Sequence, residues 1–119
     1  MNQDRLLYEA KQAALAMVAE GYAAPRPRDD IKVLGERAIA AAETQLYNMR
    51  SGAYISDHDE LIAKKLANVL AGGKVTPGTV VTERYLLDLE REAFLSLCGE
   101  RKSQERMQHM LRTGKPLRN

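Results

Sequence analysis

Apolar residues recur at helical spacing in five stretches of this chain, and glycine or proline punctuates the gaps between them. In the first stretch, residues 3–20, Leu7, Ala10, Ala14, Met17 and Val18 share one face, while Arg5, Glu9, Lys11 and Gln12 fall mostly off it. The alanines make that face flat enough for a close helix neighbour. Gly21 stops the helix, and A-A-P-R-P-R at 23–28 cannot continue it, because neither proline has an amide hydrogen to donate. Ile31 to Leu34 alternates briefly like an edge strand and is too short to assign. From Gly35 the helical period returns, with Ile39, Ala42, Leu46 and Met49 on one face as far as Ser51-Gly52. Ser56 reads as the N-cap of the next helix, with Asp57, Asp59 and Glu60 set against its positive end. Ile62, Leu66, Val69 and Leu70 supply its stripe, and Gly72-Gly73 ends it. Residues 74–81 connect, through a Pro77-Gly78 turn.

The clearest helix follows. Thr82 is placed to cap it, Val81 and Leu86 to staple its entry, and Leu86, Leu89, Ala93 and Leu97 to form its apolar face. Gly99 reads as a left-handed stop. A shorter helix begins near Ser103, striped by Met107, Met110 and Leu111, and ends at Gly114 and Pro116. The expectation is an all-α chain: about five helices in a small orthogonal or antiparallel assembly, with little or no sheet and no internal repeat. The organisation expected is an N-terminal helix over 1–22, a proline-containing linker over 23–30 and a helical domain over 31–119.

Composition agrees with a modest folded unit. The 119 residues are 45% hydrophobic and 29% charged but only 5% aromatic, so any core is built of Leu, Ala, Ile, Val and Met. A net charge of +2 with acids and bases interleaved gives no nucleic-acid footprint. One cysteine leaves no internal disulfide, and no apolar run approaches the roughly 20 residues that span a membrane. The first residues lack the order of a secretion signal, and a cytoplasmic location is expected.

Chemistry is sparse. His58 stands in D-H-D-E, yet adjacent helical residues diverge by about 100°, so these side chains cannot converge on one ion. A surface histidine in an acid-rich capped turn is expected. Cys98 sits at a helix C-terminus, where the dipole disfavours a thiolate, and reads as a small buried hydrophobe. Nothing orients a Cys98–His109 pair for nucleophilic work. Gly73-Lys74 and Gly114-Lys115 lack the strand and the Ser or Thr of a phosphate loop. Asp88 with Arg84 and Arg91 forms a solvated ion-pair ladder. No catalytic, cofactor-binding or metal-ligating residue is assigned. The residues expected to pack or make an interface are Leu86, Leu89, Ala93, Phe94 and Leu97, with Ile62, Leu66 and Val69 opposite them.

The run L-x-x-E-R-E-A-F-L-x-L at 87–97, the glycine break, the short helix and Gly114-Lys115-Pro116 resemble the C-terminal end of the crotonase (enoyl-CoA hydratase/isomerase) family. Y-N-M-R-S-G-A-Y-I-S-D-H-D at 47–59 and L-A-N-V-L-A-G-G at 66–73 resemble, more narrowly, bacterial fatty-acid β-oxidation proteins that join a 3-hydroxyacyl-CoA dehydrogenase to a crotonase-like domain. The resemblance implies that the catalytic acids and oxyanion hole lie elsewhere, in an earlier part of a longer parent. It also implies NAD and a coenzyme A thioester as ligands of that parent, not of these helices. The helices would pack on the crotonase core and support subunit contact, with the rest of the multienzyme, neighbouring subunits or a second copy as partners. The family's coenzyme-A-touching Phe and Lys fall here on Met110 and Thr113, so that contact does not carry over. Two other readings stand beside this one: a free-standing helical protein-interaction module, if Met1 is a true initiator, and a small coenzyme-A-dependent enzyme.

Overall fold

The computed structural model describes residues 5–119. Its helices are α1 (Leu6–Ala19), α2 (Gly35–Ser51), α3 (Asp57–Leu70), α4 (Glu83–Cys98) and α5 (Arg101–Thr113), with two short strands, β1 (Ile31–Lys32) and β2 (Val80–Val81). The all-α expectation holds. The two residues that open the expected first helix, Gln3 and Asp4, and the question of Met1 lie outside the described residues.

The starts of α2, α3 and α4 show how free helix amides are satisfied. At α3, Ser56 Oγ accepts from the Asp59 amide at 3.1 Å while Asp59 Oδ2 accepts from the Ser56 amide at 3.0 Å, a reciprocal capping box. At α4, Thr82 Oγ1 accepts from the Tyr85 amide at 3.1 Å. Helix α2 has no side-chain cap. Instead its first amides reach across to the loop after α3: Gly35 donates to the Ala71 carbonyl at 2.8 Å and Glu36 to the Val75 carbonyl at 2.9 Å. Gly35 takes φ +59° to do so, and an alanine Cβ there would lie 1.9 Å from the Val75 oxygen.

The buried centre gathers at this junction. Val33, Ile39 and Ala71 are its buried hydrophobic side chains among the described residues, together with Gly35, Gly72 and Gly73. Val33 packs directly over Gly72, where a Cβ would come within 2.5 Å of its side chain. The strand pair closes the same corner: β1 and β2 run antiparallel with Ile31 opposite Val81 and Lys32 opposite Val80. The ambiguous Ile31–Leu34 segment is thus a two-residue strand, and its partner strand adjoins the Thr82 cap. From this corner α2, α3 and α4 pack in succession. By contrast, every residue from Arg5 to Asp30 is exposed, and α1 has no buried residue.

Two local expectations change. Gly99 is not left-handed: its φ is −74°, because α5 begins two residues later and the chain only bends between the helices. Gly114, at φ +68°, is left-handed as its position suggests. The stripe of Met107, Met110 and Leu111 faces solvent, with Leu111 86% exposed, and α5 instead turns Ser103, Glu105, Arg106 and His109 inward.

Candidate functional site

Seven of the eight residues expected to pack or make an interface line one groove between α3 and α4. Ile62, Leu66 and Val69 form one wall, and Leu86, Ala93, Phe94 and Leu97 the other. The groove has a volume of about 750 Å³ and is open along its length. Ile62, Val69, Leu86, Ala93 and Leu97 are half-buried at its floor. Leu66 and Phe94 stand at its lip, 55% and 61% exposed. Glu83, Glu90, Lys65 and Arg91 rim it. The eighth residue, Leu89, points to the other side of α4. It reaches toward Gly73 and lines a more polar cleft with Ile39, near the Tyr85 hydroxyl that donates to the Gly72 carbonyl at 3.2 Å.

That second cleft, about 410 Å³, brings Lys64, Lys65 and Lys74 beside Glu43, Glu92 and Ser96. Lys65 Nζ donates to Ser96 Oγ at 2.8 Å and Lys64 pairs with Glu60. The cleft thus carries charges of both signs.

A polar clamp holds α5. Arg106 Nη1 donates to Asp59 Oδ1 at 2.7 Å, and its Nε donates to Asn119 Oδ1 at 2.8 Å. Asn119 Nδ2 donates in turn to Glu105 Oε2 at 2.9 Å. Beside this clamp lies His58, only 4% exposed, with Nε2 3.0 Å from Ser103 Oγ. His58 is therefore not the surface histidine that its acidic neighbours suggest. The first turn of α3 is covered by α5, and His58 is on the covered side. Cys98 likewise departs from expectation: it is half-buried, not enclosed.

Hydrogen bonds from Ser56, its backbone amide first, and from Arg106 hold the Asp59 carboxyl down at about 2. A depressed carboxyl pKa contributes stability that is complete above the unfolded value near 3.8 and is lost as pH falls toward 2. Asp59 is 32% exposed, so solvent screening limits the contribution to at most about 2 kcal/mol. Acid titration followed by circular dichroism is expected to show wild type losing stability between about pH 4 and pH 2. Asp59→Asn should be less stable at neutral pH and flatter across that window. An unchanged acid profile in the variant would remove Asp59 from the clamp.

Arg106 and Asn119 are the contributors that sequence reasoning passed over. The Ser56–Asp59 capping box is visible in the sequence, but nothing local marks Arg106 as its partner 47 residues away. No group of three His, Cys, Asp or Glu side chains placed to hold a metal occurs among the described residues, and no helix there is long and apolar enough to cross a membrane.

Comparison with known proteins gives one strong relative. The chain is 57% identical over all 119 residues to a Bacillus subtilis (strain 168) protein named "Probable 3-hydroxyacyl-CoA dehydrogenase". The chain spans only 15% of that protein's length. No family model matches the chain, and no solved structure matches it.

Proposed function

We propose that this chain is a non-catalytic helical part of a larger 3-hydroxyacyl-CoA dehydrogenase polypeptide of fatty-acid β-oxidation, one that also carries a crotonase-like hydratase domain. Its open faces pack against that polypeptide's catalytic core and support contact between subunits. The observation that carries the reading is the surface the chain leaves uncovered. A compact 13.3 kDa protein exposes about 6,500 Å² and has a radius of gyration near 13.5 Å. This chain exposes 9449 Å² and has a radius of gyration of 19.8 Å. The excess, about 3,000 Å², is more than the roughly 1,000–2,500 Å² that each side of a permanent interface buries. Much of it is apolar, including the groove lip and α1. The identity to a dehydrogenase over a small share of its length supports a parent of that kind, and the crotonase-like order of 47–59, 66–73 and 87–97 is what suggests the fused hydratase domain.

NAD and the acyl-CoA thioester belong to other parts of that parent. The two strands here are two residues long, and Gly73-Lys74 follows a helix, so the described residues offer no strand–loop–helix cradle for a dinucleotide. The chain's own contribution is shape: a helical cover over groups held elsewhere.

An immunoblot of source cells with an antibody against this chain tests the parentage. A band several times larger than 13.3 kDa is expected. A band at 13.3 kDa would overturn the reading in favour of a free-standing interaction module that uses the same groove.

A further inference from the structure

We propose that the α3/α4 groove is filled by α1 of a second copy of this chain, in a reciprocal exchange that pairs two copies. This deepens the subunit-contact part of the reading above and does not depend on the parent's length. The two surfaces match in size. Helix α1, at 14 residues, is about 21 Å long, and the groove runs about 21 Å along α4, from Glu83 to Leu97, with a shorter wall of about 12 Å on α3, from Ile62 to Leu70. They match in character. Only Glu9, Lys11 and Gln12 interrupt the apolar and aromatic residues of α1, yet none of its residues is buried. A helix so apolar is stable in water only when covered. The groove presents the complementary deficit: Leu66, Leu70 and Phe94 are 55%, 75% and 61% exposed on its lip. Charge agrees as well. The rim carries two acids and two bases, Glu83, Glu90, Lys65 and Arg91, so Lys11 at the border of the Leu7, Ala14 and Val18 stripe has Glu90 within the rim as an acid to meet. The flat alanine positions of that stripe permit close approach between backbones.

The linker directs α1 outward. The Arg28 carbonyl accepts from the Glu83 amide at 2.7 Å, and the Arg28 amide donates to Glu83 Oε2 at 3.1 Å, which moors the linker at one end of the groove. From there Pro27 and Pro25 favour an extended course of about 3 Å per residue, carrying α1 away from its own groove. A two-fold exchange fills both grooves with both helices and leaves no unpaired surface to propagate. Each chain has about 3,000 Å² in excess of a compact protein, against about 800 Å² per partner in a standard interface.

Sedimentation equilibrium on the full chain tests the exchange. Wild type is expected at 26.6 kDa, twice the 13.3 kDa chain. Leu66→Glu and Leu7→Glu, each at an exposed position, should raise the dimer dissociation constant by about tenfold or more with helix content unchanged. A mixture of the two variants should recover heterodimer, because the intact α1 of one fits the intact groove of the other. A monomeric wild type would overturn the proposal. So would a Leu7→Glu dimer as tight as wild type, which would mean groove meeting groove. A large immunoblot band with a monomeric chain defeats the exchange alone, and a 13.3 kDa band with a dimer defeats the parentage alone.

Discussion

Gly35→Ala is expected to lower the stability of the chain by about 3 kcal/mol or more, a fall of about 12 °C or more in melting temperature. Two effects add. The residue at position 35 must hold φ +59°, which costs about 1–2 kcal/mol for any L side chain. The new Cβ would then lie 1.9 Å from the Val75 carbonyl oxygen, which is backbone and cannot swing away. Relieving that clash separates the start of α2 from the loop after α3 and breaks the Gly35–Ala71 and Glu36–Val75 hydrogen bonds, each worth about 1 kcal/mol. Gly78→Ala is the control. It shares the positive φ, at +86°, but nothing lies within 4 Å of its Cβ. Urea unfolding of both variants separates strain from collision, and equal losses would show that the α2–loop contact is not what position 35 protects.

Leu89→Asp is expected to lose about 3 kcal/mol, because a carboxylate would replace a methyl-rich side chain that packs toward Gly73. Leu89 faces inward from α4 toward the Ile39 side of the molecule, in a cleft that Lys74 also lines, so a pairing with Lys74 is the one contact that would offset part of the loss. Lys64 and Lys65 already have partners in Glu60 and Ser96. Leu66→Asp, on the open lip of the groove, should cost far less in an isolated chain. Thermal melts of the pair distinguish an inward face from an open one. If Leu89→Asp melted with wild type, the inner face of α4 would contribute no core.

These contrasts show where sequence was sufficient. Ser56 and Thr82 are legible as caps because a cap is a local bargain between a side chain and an amide three residues on. The five helices are legible for the same reason. What the periodicity of α5 does not reveal is which face meets the protein. Its methionine stripe points to water, because the neighbouring surface is the charged first turn of α3 and selects Arg106 and Ser103 in preference to Met107 and Met110. His58 is misread by the same route: its neighbours in sequence are acids, but its neighbour in space is another helix. The pairing of Ile31 with Val81 is invisible to any window, since neither residue carries a mark of the other. The groove residues were readable as apolar stripes, whereas their being open could only come from the arrangement of the helices.

The strand pair has a consequence in time. Joining Ile31 to Val81 closes a loop of 50 residues, the difference of the two positions, at an entropic cost of about 3.5 kcal/mol. Helices α2 and α3 are joined by only five residues, for which the same cost is about 1.4 kcal/mol. The helical hairpin therefore assembles first, and the ribbon latches last, once α4 has delivered Val81 to its place. Once latched, the ribbon seals the buried corner, and amide exchange at Val33, which donates to Thr79 at 3.0 Å beneath a side chain only 5% exposed, should be at least as slow as exchange in the middle of α2.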